Sequence, residues 1–334
     1  MGIRKQLTAV VVLMLIAVYP VLGADSDLTG GSFADDGLAA RAIGLGGAFT
    51  AIADDGNASW WNPAGLGLLD RRKSVSFTYQ PQIIPLTTGN SSRMLISYGQ
   101  GDTEGYGGLG ASISYMSLKT GTDFSGDVDA GWTEYVLALS WGMEVGNYLG
   151  MVKYRFPKVA LGVNVKYFGV SSDLVSEGIE AGASGFGADA AVIIALRSNF
   201  SFGVMMKNAF SKISWNGGSD EALPYYLNGG VYYGITPDFL IAAEVKSEEN
   251  DSGVPRVTAY CGGAEYTIRF AKNDYLKSAG VRAGFSANPN EDSYIVSAGA
   301  TAGMESFSVD YAYQYFIRSF FANDAHRLGL TAYF

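Results

Sequence analysis

The stretch HRLGLTAYF, His326 to Phe334, places an apolar side chain at every second position. Leu328, Leu330, Ala332 and Phe334 fall on one side, and Arg327, Gly329, Thr331 and Tyr333 on the other. Successive side chains of a strand point to opposite faces, so this segment has one greasy and one wet face. The last residues of soluble domains usually fray. A patterned strand that ends on an aromatic residue is instead expected of a β-barrel inserted in a bacterial outer membrane. By likeness to such barrels, Phe334 is the expected assembly signal and the barrel assembly machinery an expected partner.

Working back from there, the chain divides into short alternating segments separated by Gly, Asn, Asp, Ser and Pro. Fourteen strands are expected near residues 73–80, 93–100, 107–118, 132–143, 157–168, 185–195, 200–208, 224–234, 239–246, 256–268, 277–286, 293–304, 306–315 and 325–334. Phe307, Val309, Tyr311, Tyr313 and Tyr315 alternate with Ser308, Asp310, Ala312 and Gln314, and Val163 and Val165 alternate with Asn164 and Lys166. So many apolar faces overfill a soluble core but form a continuous lipid-facing band. The expected fold is all-β: a transmembrane antiparallel barrel of about 14 strands, spanning residues 72–334. Tight connections at Leu196–Asn199, Ile235–Asp238 and Glu305 mark one end, and longer ones at Gly169–Ser184 and Ala209–Leu223 the other. Outer-membrane barrels have short periplasmic turns and long external loops, which puts both termini in the periplasm. The long connection Glu144–Phe156 departs from that rule.

At the other end of the sequence, Arg4 and Lys5 precede an apolar run from Leu7 to Val18, followed by Pro20, Gly23 and Ala24. Residues 1–24 read as a secretory signal peptide. Without them the chain carries 21 basic and 32 acidic residues, a net charge of −11. That acidity argues against nucleic acid as a partner. Gly supplies 44 of the 334 residues and Phe, Trp and Tyr together another 44, a composition that fits barrel walls and their aromatic girdles. Cys261 is the single cysteine, so no intramolecular disulfide forms, and it reads as an inert small residue.

Residues 25–71 do not alternate. They contain RAIGLGGAFTAIADDGNASWWNPAGL, Arg41 to Leu66, and read as a hatch or plug inside the lumen, since fourteen strands enclose a space wide enough to need filling. Its marker residues are Arg41, Gly44, Gly46, Gly47, Asp54, Asp55, Asn62, Pro63 and Ala64. GLGGAF is not a nucleotide loop, because no strand precedes it. Asp54, Asp55 and Asn57 lack the spacing of a calcium loop. With a single histidine, His326, on the outward register, there is no base to serve a lumenal nucleophile, and neither catalysis nor a cofactor is expected.

The pattern of Arg41-Ala, Gly44-x-Gly-Gly-Ala-Phe49, Ala53-Asp-Asp and Trp61-Asn-Pro-Ala-Gly-Leu66 resembles the N-terminal signature of the FadL-type outer-membrane family, nearest to its PorV/PorQ-like members. The resemblance implies a fourteen-stranded barrel, a lumenal hatch holding Asn62-Pro63-Ala64, and sideways passage of small hydrophobic molecules through the wall. For the PorV/PorQ-like members it implies instead a carrier of secreted protein cargo, and a structural outer-membrane barrel with no transport role is the third reading. The modest external loops leave less room for the broad surface groove of fatty-acid transporters. Lumenal registers collect Lys166, Asp189, Lys207, Glu244, Lys246, Glu265, Arg282, Asp310 and Arg327. These are expected either to pair among themselves or to join Arg41, Asp54 and Asp55 in latching the hatch.

Overall fold

The computed structural model describes residues 37–70, 73–81, 91–102, 104–119, 131–148, 157–172, 182–218, 220–249, 253–271, 275–290, 292–317 and 324–334. The signal-peptide assignment and the first part of the hatch segment lie outside them. So does most of the connection expected between Gly169 and Ser184.

The strands are β1 (Lys73–Pro81), β2 (Ser91–Gln100), β3 (Gly108–Lys119), β4 (Gly131–Glu144), β5 (Lys158–Ser172), β6 (Gly182–Arg197), β7 (Phe200–Trp215), β8 (Asp220–Glu221), β9 (Tyr226–Thr236), β10 (Phe239–Glu249), β11 (Pro255–Arg269), β12 (Ser278–Asn288), β13 (Ser293–Gly303), β14 (Phe307–Ile317) and β15 (Asp324–Tyr333). Each long strand pairs antiparallel with its sequence neighbours, β6 with β7 and β7 with β9. β1 then pairs with β15, from Ser74 opposite Tyr333 to Tyr79 opposite Leu328, and closes the ring. Fourteen strands form the barrel, and β8 is a two-residue addition to β7. Closure joins the first strand to the last, which is what a sheet needs in lipid.

Alternation sets the two faces as expected. On β1, Val75, Phe77 and Tyr79 face outward while Ser74, Ser76, Thr78 and Gln80 are buried within. On β15, Leu328 and Leu330 face outward and Arg327 and Thr331 inward. An exterior of this kind is stable against hydrocarbon rather than water, so the barrel is transmembrane. No helix among the described residues is long and apolar enough to cross a membrane.

Lys73 and Phe334 exchange backbone hydrogen bonds of 3.1 and 3.0 Å, so the strand array begins and ends at the same rim. The tight turns at Ser198–Asn199, Pro237–Asp238 and Met304–Ser306 lie at that rim as well. Among the described residues, the long connection after β4 begins with a helical turn, α3 (Val145–Tyr148).

Two expected boundaries move at the opposite rim. β5 runs on to Ser172, and β7 runs to Trp215 instead of ending at residue 208, so half of the expected loop Ala209–Leu223 is strand. The local reason is Asn208, whose φ of 53° breaks the alternation without ending the strand.

Residues 37–70 contain α1 (Ala40–Gly44), α2 (Ala58–Trp61) and a 3₁₀ turn (Pro63–Gly67). They touch strands on every side: β3 and β4 through Ser59, β7 through Ala51, β10 through Phe49 and Thr50, β12 through Gly46 and β15 through Ala40. A segment that meets the wall all around a closed ring lies inside it. Leu38, Leu45, Phe49, Trp61 and Leu66 are fully buried there and form the core of the molecule with inward wall residues. Each such burial contributes roughly 1.5–3 kcal/mol.

Candidate functional site

The lumenal segment sits against the wall backbone to backbone. A Cβ placed on Gly162 would come within 2.1 Å of the Ala64 nitrogen, on Gly142 within 2.1 Å of the Pro63 oxygen, on Gly203 within 2.3 Å of the Thr50 oxygen, and on Gly284 within 2.1 Å of the Gly46 nitrogen. Much of the glycine excess in the sequence therefore builds a seat rather than bends. On the hatch side, Gly46 and Gly47 have φ of 69° and 86°, and a Cβ on Gly46 would lie 2.5 Å from the Phe285 oxygen. Gly44 lies against Arg282 and Gly299.

Asn62 ties the segment together. Its Nδ2 donates to the Thr50 oxygen at 2.8 Å and its Oδ1 accepts from the Ala64 N–H at 3.0 Å, which starts the turn at Pro63. From the wall, Glu244 Oε2 accepts the N–H groups of Phe49 and Thr50 at 3.0 and 2.9 Å, and Ser201 Oγ donates to the Ala51 oxygen at 2.7 Å. Lys207 stands over the rings of Trp60 and Trp61 at 5.7 and 5.9 Å, and Lys246 over Trp61 at 5.1 Å. Trp60 and Trp61 were not singled out from the sequence, although the WW pair beside Asn62 was a signal to do so.

A second contact is ionic. Arg41 donates Nε and Nη2 to the two oxygens of Glu265 at 3.0 and 3.1 Å, pairs with Asp54, and stands 3.7 Å from Asp55. Arg282 shares Glu265 at 2.5 Å and reaches Asp310 at 2.9 Å, with Thr301 bonded to both Arg282 and Asp310. Two guanidinium groups thus face four carboxylates. Burial, helped by the charges of Asp54 and Asp310, pushes the Asp55 carboxyl up to about 6 although Arg41 and the Asn57 N–H pull it down. For Arg41, the surrounding carboxylates outweigh burial and hold its pKa above the usual range. Beside this network is a polar cavity of about 200 Å³, lined by Arg41, Asp55, Arg282, Asp310 and Tyr333 near the rim that carries Lys73 and Phe334.

All nine lumenal charges named from the sequence point inward, but they do not form one cluster. Glu265, Arg282 and Asp310 join Arg41, while Glu244, Lys207 and Lys246 meet the middle of the hatch. Arg327 donates to Gln314 at 2.5 Å. Lys166 and Asp189 pair with each other at 2.6 Å, on the far side of the barrel from Arg41 and in company with Asn164 and Asn208.

The lumen departs from the expected polar interior in one sector. Leu95, Met116, Val136, Phe168, Val170 and Ile213 turn inward from β2 to β7, in the half of the barrel away from Phe334, and pack on Leu38 and the two tryptophans.

This sector ends at a break in the wall. β7 pairs with β9 only from Phe200 opposite Tyr233 to Lys207 opposite Tyr226. Beyond it the residues Lys207 to Ala209 stand opposite the single Asp189 of β6, and the neighbouring segment contains Pro224, which has no N–H to continue a ladder. Side chains bridge the interval instead. Asn208 Nδ2 donates to the Pro224 oxygen at 3.1 Å, and Ser211 Oγ donates to the Leu223 oxygen at 3.1 Å and accepts its N–H at 2.9 Å. Ladder pairing resumes only at Ile213, with β8.

No protein-family model matches the chain, and no curated protein sequence does. Among solved structures it is similar to the CymD monoaromatic hydrocarbon channel, with TM-score 0.60 and 13% identity over 89% of this chain and 97% of that one. It is similar to the Pseudomonas putida toluene transporter TodX, with TM-score 0.57 and 14% identity over 89% and 97%. A Pseudomonas aeruginosa FadL homologue gives 0.55 and 12% over 89% and 98%. At these identities the likeness is one of fold, and the fold is that of the FadL-type channels.

Proposed function

We propose that the protein is an outer-membrane channel for small hydrophobic molecules, with both ends of its strand array facing the periplasm and solute leaving sideways through the break beside Asn208. The observation that carries this reading is the apolar lumenal sector running up to that break. A channel for polar solutes gains nothing from inward Phe168, Val170 and Ile213. An apolar solute gains its transfer free energy there, and it meets at the break a stretch of wall closed by three hydrogen bonds in place of a ladder. The seat of the hatch lies across the straight route to the other rim, so the shortest apolar route leads outward to lipid. The monoaromatic hydrocarbon channel and the toluene transporter of similar fold take solutes of this chemical class, which supports the reading. A role as carrier of secreted protein cargo rests on the motif likeness alone.

The test is a reversible lock. In a Cys261→Ala background, Ser211→Cys and Leu223→Cys are joined by a short bifunctional thiol reagent, and entry of N-phenylnaphthylamine into expressing cells is followed by fluorescence. We expect the protein without cross-link to speed entry, and the cross-link to return it to the level of cells lacking the protein. Unchanged entry after cross-linking would remove the sideways route. No acceleration by the protein without cross-link would remove the channel itself.

A further inference from the structure

Lys166, Asp189 and Asn208 form a closed polar knot in the apolar part of the lumen. Lys166 Nζ lies 2.6 Å from Asp189 Oδ1 and 2.5 Å from Asn208 Oδ1. Asp189 Oδ1 also accepts the Asn208 N–H at 2.8 Å, while its Oδ2 accepts Asn164 Nδ2 at 2.9 Å. All four residues are buried, with 2–4% exposure. An ion pair in such surroundings contributes little net stability and often less than an apolar replacement would. Its position suggests another use. The knot fixes both the side chain and the left-handed backbone of Asn208, the residue at which β7 parts from β9 and which reaches across to Pro224.

We propose that Lys166 and Asp189 hold Asn208 as the clamp of the wall, and that release of Asn208 from Pro224 is the step that opens the interval between β7 and residues 223–225. The proposal rests on the sideways route argued above. Phe168 is the neighbour through which a solute acts. Lys166 Nζ stands 5.3 Å from the centre of its ring, and the same ring packs under Gly187 beside the Phe210 backbone. An apolar solute that displaces the packing among Phe168, Ile213 and Leu223 would press on the Lys166 side chain and on the strand that Asn208 holds. Solute and clamp compete for one space.

Two variants separate the clamp from the fold. Asn208→Gly keeps the backbone conformation, which glycine adopts readily, and removes both side-chain bonds. Lys166→Met with Asp189→Leu replaces the ion pair by apolar groups of similar size. Each is reconstituted in lipid nanodiscs, and hydrogen exchange is read at the Leu223 amide, whose bond to Ser211 Oγ crosses the interval, and, as an internal reference, over β13. We expect exchange at Leu223 to rise at least tenfold in both variants with β13 unchanged, and N-phenylnaphthylamine entry into cells to rise several-fold. Unchanged exchange at Leu223 in Asn208→Gly would overturn the clamp whatever the uptake shows. Faster exchange without faster entry would overturn its role in opening, and the cross-link above then tells whether the sideways route survives.

Discussion

Asp55 is the residue at which the seating of the hatch depends on pH. Its carboxyl is raised from 3.8 to about 6 by burial and by nearby Asp54 and Asp310. Between those values the folded protein holds a proton that the unfolded chain has released. Stability therefore falls as pH rises through that window and stays at the lower level above it. A shift of this size corresponds to at most about 3 kcal/mol. We expect Asp55→Asn, which cannot ionise, to gain stability relative to the wild type by up to that amount between pH 3.5 and pH 7.5. Urea unfolding from lipid vesicles at the two pH values reads the difference. An equal offset at both would show that Asp55 ionises in the fold as it does in the open chain. The Asn57 N–H is bonded to the Asp55 carboxylate at 2.8 Å, a local turn of the chain. The sequence offered a latch of lumenal charges with Arg41, Asp54 and Asp55 but not which of the nine would join it, because Glu265 and Asp310 lie more than 200 positions from the hatch.

At the scale of single strands, alternation was sufficient wherever one face is uniformly apolar, as on β1, β14 and β15. It misled on β5 and β7. Phe168 and Val170 sit on the lumenal register, and a pattern that expects polar residues inside reads them as the end of a strand. Asn208 likewise looked like a terminator, since the residue types that end strands are the same ones that adopt a left-handed backbone within them. The lumenal face is also less tolerant than an open channel would be. Val163 faces lipid, whereas Asn164 is 2% exposed and bonded to Asp189. We expect Val163→Arg to cost about 2–4 kcal/mol in vesicle unfolding, and Ile317→Arg, at the last residue of β14, about 0–1 kcal/mol. Asn164→Arg is expected to be as costly as Val163→Arg, for want of space rather than for exposure to hydrocarbon. Similar costs at Val163 and Ile317 would place the lipid band elsewhere on the wall.

For the whole molecule, fold class and strand number could be read from periodicity and composition, because those follow from local pattern. How tightly the hatch is held could not. The seat depends on glycines of several strands meeting particular hatch atoms, and no local pattern records which glycine faces what. Removal of residues 37–66 should leave the ring of interstrand hydrogen bonds intact and open the lumen. We expect that variant to conduct ions in planar bilayers, and the intact protein to be nearly silent. A truncated protein that folds and stays silent would mean that the wall closes on itself without the hatch. Failure to fold would mean that the hatch is part of what shapes the wall.

How the hatch comes to lie inside the wall follows from where the ring is joined. The final seam lies between β1 and β15, and the hatch immediately precedes β1 in the chain. Strand backbone is pressed on hatch backbone at Gly142, Gly162, Gly203 and Gly284, so the segment is seated on several strands at once. The segment just ahead of β1 is then expected to be in place before the ring closes, and the seam between the first strand and the last to seal it within, as a lid seals a packed case.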